Sequence, residues 1–157
     1  MKKLLLILTF TFTTVFANAQ CTPDPQYSGG GIYPDTITGL SDAYVGQSYN
    51  QLITIITPPD TVVSGFPAII DNIDLDFVTG LPPNFTYTCD PASCSFPGGS
   101  TKCAEVYSTI DPTVSDVGFY PITFECTAYA TVPILGGTTL TFVSGGYAIE
   151  IVDNTTS

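Results

Sequence analysis

The sequence predicts an all-β fold, an antiparallel sandwich of about seven or eight strands. Three observations point to it. Residues 69–78 and 119–130 alternate apolar and polar with period two, the mark of a strand with one buried face. Fourteen glycines and thirteen prolines interrupt the chain at short intervals, so no apolar stretch runs long enough to make a helix of ordinary length. Only 11% of residues are charged, and much of the remaining polarity is Thr and Ser; β-branched Thr suits a pleated surface. Each sheet so formed has one apolar face to hide, and stacking two such faces is the natural packing; a closed barrel is the alternative that periodicity leaves open.

The elements follow in order. Residues 20–34 are rich in Pro and Gly and read as an extended lead-in to a single domain over 35–153. Ile37 to Leu40 and Asp42 to Gly46 look like a broken first strand. Tyr49 to Thr57 carries Leu52, Ile53, Ile55 and Ile56 and stops at Pro58-Pro59. In residues 69–78, Ile73, Leu75 and Phe77 are expected on one face, with Asn72, Asp74 and Asp76 on the other. Gly80-Leu81-Pro82-Pro83 is a turn, after which Phe85 and Tyr87 share a face. Residues 104–110 form another strand, broken at Asp111-Pro112 because proline lacks a backbone donor. In residues 119–130, Tyr120, Ile122, Phe124, Cys126 and Ala128 line one side. Gly136-Gly137 and Gly145-Gly146 bracket a further strand, and the last holds Tyr147, Ile149 and Ile151.

Composition excludes several functions. The chain of 157 residues has three lysines, no arginine, no histidine and no tryptophan, against fourteen acids. Nucleic-acid binding needs cations to replace phosphate counterions, and it is excluded. Without imidazole there is neither a Ser-His-Asp or Cys-His mechanism nor a His-ligated metal. Met1-Lys2-Lys3, the uncharged stretch Leu4 to Phe16 and the small residues around Asn18 form the anatomy of a secretory signal peptide, with cleavage after Ala19. Lipidation at Cys21 is the rival, but Gln20 stands where a small residue is wanted. Cleavage leaves one lysine against fourteen acids, a formal charge of −13. No later stretch is long and apolar enough to span a membrane. The mature part, about 138 residues, is one domain by length.

From Gly80 the chain resembles the immunoglobulin-like repeats of bacterial surface proteins, whose core runs G-L-P-x-G-hydrophobic-T, then T-P-T, then A-G-x-Y followed by alternating apolar residues. Leu81-Pro82-Pro83-Asn84-Phe85-Thr86 matches the first element, Asp111-Pro112-Thr113 the second, and Val117-Gly118-Phe119-Tyr120-Pro121-Ile122 the third. The cysteine-bounded stretch Cys94-Ser95-Phe96-Pro97-Gly98-Gly99 up to Cys103, the opening CTPDPQY and the Gly46 to Tyr49 stretch GQSY are similar to secreted Bacteroidota proteins that use type IX secretion. The resemblance implies an immunoglobulin-like sandwich in a secreted or cell-surface module without catalytic activity. Such proteins continue into a C-terminal sorting domain, whereas this chain stops at a short tail, Asn154-Thr155-Thr156-Ser157. The expectation is a missing sorting tail, retention in the periplasm or another route of release.

Five cysteines in an exported chain suggest two disulfides and one thiol. Cys126, between Phe124 and Ala128 on the apolar face, is the expected buried thiol. Pro97-Gly98-Gly99 makes a turn midway between Cys94 and Cys103, so these two should meet, leaving Cys21 to pair with Cys89. Cys89 with Cys103 is the alternative. The spacing lacks a fourth close ligand for zinc.

Candidate sites are few. Asp71, Asp74 and Asp76, with Asn72, form the densest acidic cluster and could hold calcium through oxygens; the loop Asp111 to Asp116 is a second such place. Both also read as solvated acidic surface. No cofactor other than calcium is indicated. Glu105, Glu125 and Glu150 are the only glutamates, and nothing sets two acids across a cleft, so no enzyme is expected. Tyr27, Tyr33, Tyr44, Tyr49 and Tyr129 are the tyrosines expected to be exposed and able to stack on sugars. Asp35-Thr36-Ile37 and Asp60-Thr61-Val62 fit an Asp-Thr-hydrophobic pattern for O-glycosylation, at Thr36 and Thr61. Asn84 and Asn154 head N-x-Thr triplets. The disulfide-held loop 90–102, with Phe96 and Pro97 projecting, is the expected contact surface. The functional expectation is an adhesive, structural or spacer module whose partner is a cell-envelope protein; a small glycan-binding module is the alternative.

Overall fold

The computed structural model describes residues 21–154. The expected signal peptide and the residues 155–157 of the tail lie outside them. The strongest period-two stretches make the longest strands. Residues 119–130 fall in β9 (Gly118–Val132), and Tyr147, Ile149 and Ile151 in β10 (Gly136–Val152). The two pair antiparallel along nearly their whole length, with a register shift at the glycines between Ser144 and Tyr147. On β9's other side runs β5 (Phe66–Thr79), whose first residues pair with β4 (Asp60–Val63). At β10's far edge β2 (Ala43–Tyr44) adds a short parallel pair, completing the order β2-β10-β9-β5-β4. The smaller sheet is β1 (Gly31–Tyr33), β3 (Asn50–Ile56), β8 (Thr101–Ser108) and β6 (Phe85–Asp90), all antiparallel, in the order β1-β3-β8-β6. The last strand, β7 (Ser95–Pro97), pairs with β5 at Asn72–Asp74, on the edge that β4 also uses.

The sandwich is therefore as expected, but with ten strands among the described residues. The surplus comes from four pieces of two to four residues, too short to show a period. Residues 37–40, expected in a strand, form a turn: Asp35 Oδ1 accepts from the Thr38 amide at 2.8 Å and Gly39 donates to the Asp35 carbonyl. Part of the lead-in is β1, an edge strand.

Between the sheets lies one main core. Ile122, Ile149, Ile151 and Val106 are almost wholly buried, each worth about 1.5–3 kcal/mol in surface removed from water. Tyr49 packs on Phe85 with ring centroids 5.1 Å apart, and Phe124 meets Tyr147 edge-on at 5.2 Å. Burial, aided by the charge of Asp42, pushes the Tyr49 phenol up to about 12. Burial, then the charge of Asp76, pushes the Cys126 thiol up to about 11. Both groups fold as neutral species. The stability they supply is whole below their ordinary values, near 10 and 9, and is lost as pH climbs towards the raised ones. The denaturant midpoint should therefore fall between pH 9 and 12, and less steeply in Tyr49→Phe. A wild-type midpoint flat across that window would contradict this.

The sheets differ in length. β5, β9 and β10 have 14, 15 and 17 residues, while β3, β8 and β6 have 7, 8 and 6. One end of the larger sheet thus overhangs. There Ala68, Ala130 and Val132, with Val63 against them, form a separate small cluster. The tips of the β4–β5 and β9–β10 hairpins share this end, because Ile69 pairs with Thr131.

The disulfides differ from both expected pairings. Cys21 joins Cys103, and Cys89 joins Cys94. Two features explain this. First, Pro97-Gly98-Gly99 does turn, but the strand before it lies in the larger sheet and the strand after it in the smaller. The turn crosses between sheets instead of folding Cys94 back on Cys103. Second, Cys89 stands opposite Ala104 and Asp90 opposite Cys103. Successive residues face opposite ways, so Cys89 enters the core while Cys103 points to the outer face. There the lead-in covers it: Cys103 and Thr54 are fully buried, and the Asp24 amide donates to Thr54 Oγ1 at 2.8 Å. Cys126 is the buried free thiol.

Candidate functional site

Where β3 leaves the smaller sheet at Thr57 and Pro58, the two sheets do not close on each other. A cavity of about 350 Å3 lies between them. Ile53 and Ile55 form one wall, Ile73, Leu75, Phe124 and Cys126 the other; Phe96 and Phe142 close its sides. Gly30 and Gly31 beside the smaller sheet and Phe142 and Ser144 of β10 also line it. The Tyr147 hydroxyl bridges the two sheets by donating to the Ile32 carbonyl at 3.4 Å. Burial, then the Asp35 charge, holds this phenol above its usual range, so it stays a donor. No charged side chain lines the cavity.

One polar group in this wall lacks a partner. Thr57 is only 2% exposed, and its Oγ1 has no hydrogen bond. Its backbone is satisfied: the amide donates to the Ser100 carbonyl at 2.9 Å, and its carbonyl accepts from Gly99 at 3.0 Å. The two chain crossings thus brace each other and hold Thr57 against the cavity. Cys126 also lines it, as a neutral thiol of low nucleophilicity.

The overhanging end presents a different surface. Ile134 and Leu135, between Pro133 and Gly136 at the β9–β10 tip, are 83% and 67% exposed. Val62, Phe66 and Ile69 of the neighbouring hairpin are exposed at the same end. A shallow groove on the overhang, lined by Val63, Ile70, Ala128 and Leu140, reaches the cavity at Phe142, which borders both.

The sites expected from sequence fare unevenly. Phe96 is corrected most sharply: it is 2% exposed, a core residue whose ladder partner is Ile73, so it offers nothing to a partner. Pro97 beside it is exposed. Asp71, Asp74 and Asp76 do not converge. Asp71 accepts from Thr131 Oγ1 at 2.8 Å, Asp76 from Thr127 Oγ1 at 2.7 Å, and Asp74 from Asn72 Nδ2 at 2.6 Å. Register shifts at Asp71 and Asp76 break the expected alternation, so Phe77 leaves the core face shared by Ile73 and Leu75 and is 63% exposed. Among the described residues no three acidic, Cys or His side chains are grouped to hold a metal. In the loop 111–116, Asp116 Oδ2 accepts from the Thr113 amide and hydroxyl, and these bonds hold its carboxyl below the usual range.

Of the tyrosines expected at the surface, Tyr49 is in the core. Tyr27 and Tyr33 stack on each other at 4.5 Å and are half-buried. Tyr44 and Tyr129 are exposed but lie on different strands, far apart in register. Thr36 and Thr61 are both exposed. Asn84 and Asn154 are exposed too. Glu105 lies in the smaller sheet, Glu125 and Glu150 on neighbouring strands of the larger.

Thr57 and Ile134-Leu135 were not among the expected sites. Ile134-Leu135 carried a signal, since two large aliphatics occupy a turn that polar residues ordinarily fill. Thr57 gave none beyond its place before Pro58-Pro59.

Fold and site together define a two-sheet all-β module, stapled by two disulfides, with an apolar cavity between its sheets. The disulfides suit an oxidising compartment, extracellular or periplasmic. No helix of the described residues is long and apolar enough to cross a membrane. No family model, curated protein or solved structure matches the chain.

Proposed function

We propose that the protein is an exported, non-catalytic module of the cell surface or the secreted fraction, adhesive or structural in role, that works by contact with another protein of the envelope. The aliphatic hairpin end carries this reading. Ile134 and Leu135 stand in water at the tip of the longest hairpin, beside Val62, Phe66 and Ile69. Exposed aliphatic groups gathered at one end mark a surface that is covered in use. The chemistry favours a protein partner over a glycan, because sugars stack on aromatic faces and the exposed tyrosines are not brought together here. A formal charge of −13 after signal removal disfavours an anionic membrane as the covering surface. The resemblance to bacterial surface repeats and the signal-like N-terminus agree with this role.

The test is capture of native-host cells on beads bearing the mature chain, with Ile134→Asp/Leu135→Asp as the variant. Wild type should retain cells, and the variant should bind them roughly thirtyfold more weakly, since two aliphatic contacts of about 1 kcal/mol each are removed. Protease treatment of the cells should abolish capture. Equal retention by the variant would refute the hairpin as the contact; capture that survives protease but not glycosidase would transfer the partner to a glycan.

A further inference from the structure

We propose that the protein pairs with a second copy of itself along the free edge of β10, residues 136–144, the two strands running antiparallel about a two-fold axis at Leu140. β10 is bonded to β9 on one side, while on the other β2 reaches only Ile151 and Val152. Among the described residues no strand lies on that side of 136–144. Every second residue of such an edge turns its amide and carbonyl outward, a ready template for another strand. No other edge strand is longer than six residues.

Edges are ordinarily guarded by lysine, proline, an inward charge or a bulge. The stretch Gly136-Gly137-Thr138-Thr139-Leu140-Thr141-Phe142-Val143-Ser144 has none of these, and the register shift of β10 falls only after it. Leu140 and Val143 are 66% and 63% exposed, and Thr139 and Thr141 are exposed beside them.

The segment fits itself. With the axis at Leu140, the two copies of this residue meet on the face shared with Phe142, and each covers the other's aliphatic surface. On the opposite face Thr139 of each copy stands against Thr141 of the other, a favourable cross-strand pair. Gly137 falls opposite Val143 and Thr138 opposite Phe142, so each large side chain meets a small one. Nine paired residues make about eight to ten main-chain hydrogen bonds. Charge allows the same partner. Glu150 is the sole charged residue of β10 and lies ten positions from the axis, so two acidic copies meet along a neutral strip. Ile134 and Leu135 lie outside the paired segment, and the contact does not depend on them.

The mature chain is tested by sedimentation and by cross-linking. Wild type should show a monomer–dimer equilibrium that tightens as salt rises, because screening weakens the repulsion between acidic copies. Thr139→Lys/Thr141→Lys and Thr139→Glu/Thr141→Glu each set like charges opposite one another, and each alone should dimerise about tenfold more weakly. Mixing the two variants should restore dimerisation. Leu140→Cys should cross-link through a disulfide in oxidised glutathione, since directly opposed residues sit about 4.5–5.5 Å apart. Thr138→Cys should not, its two copies being about 14 Å apart. A chain monomeric at every concentration, with no more cross-link in Leu140→Cys than in Thr138→Cys, would overturn the proposal. So would a lysine variant that dimerises more tightly, which would make net charge the cause. A dimer lost in Ile134→Asp/Leu135→Asp and kept in both charge variants would move the contact to the hairpin tip and also overturn it.

Discussion

Replacing Cys21 and Cys103 together by alanine should lower the stability of the oxidised protein by about 4.5 kcal/mol, the chain-entropy value for a loop of this length. Replacing Cys89 and Cys94 should cost only about 2 kcal/mol by the same relation. The difference comes from sequence separation, 82 residues against 5. The long loop confines most of the unfolded chain, and the short one hardly changes it. The folded state adds to the first effect, because Cys103 and Thr54 are covered by the segment that Cys21 anchors. Urea unfolding under non-reducing conditions measures both. Two double variants of equal stability would show that the lead-in is held by its other contacts.

Gly80→Ala should lose about 3 kcal/mol or more, the scale of a backbone displacement in a packed interior. Gly80 follows β5 with φ of +84°, where a side chain is strained, and a Cβ there would stand 1.8 Å from the Pro121 carbonyl oxygen. Neither backbone can yield easily, since β9 is paired with β10 at Pro121 and Ile122 and with β5 from Thr123 onward. Gly39→Ala is the control. Its φ is +73°, but no atom lies within 4 Å of the added carbon, so only the conformational cost of about 1 kcal/mol remains. The gap between the two variants measures the contact. Equal losses would mean that β9 moves aside freely.

Much of the architecture could be read from alternation alone. Tyr147, Ile149 and Ile151 on one strand, and Ile122, Phe124 and Cys126 on the next, announce a shared apolar face, and they pack there. What alternation describes is one strand at a time. It cannot say which strand lies beside which, and the errors gather at that step. Pro97-Gly98-Gly99 is a turn by composition, but whether it closes a hairpin or crosses between sheets depends on β5, more than twenty residues away. The disulfides followed from that choice, and so did the position of Phe96. At Asp71 and Asp76 the alternation is itself interrupted, because shifts in pairing with β9 accommodate extra residues. A run of letters with perfect period two conceals them, and Phe77 is the residue that pays. The cavity was least legible of all: it is made by residues from both sheets, and Thr57 becomes notable only through the absence of a neighbour.

The link from Cys21 to Cys103 also decides how the module would answer a mechanical load. Tension arriving from the N-terminal side at Cys21 passes through sulfur directly into β8, in the middle of the smaller sheet. The stretch between the two cysteines, residues 22–102, is bypassed, so β1 through β7 cannot be drawn out while the bond is intact. Of the described residues only those beyond Cys103 can be drawn out, to a span of roughly 170 Å at full extension of the backbone. An oxidised molecule is thus a short tether, and reduction would lengthen its reach by more than doubling the chain that can pay out.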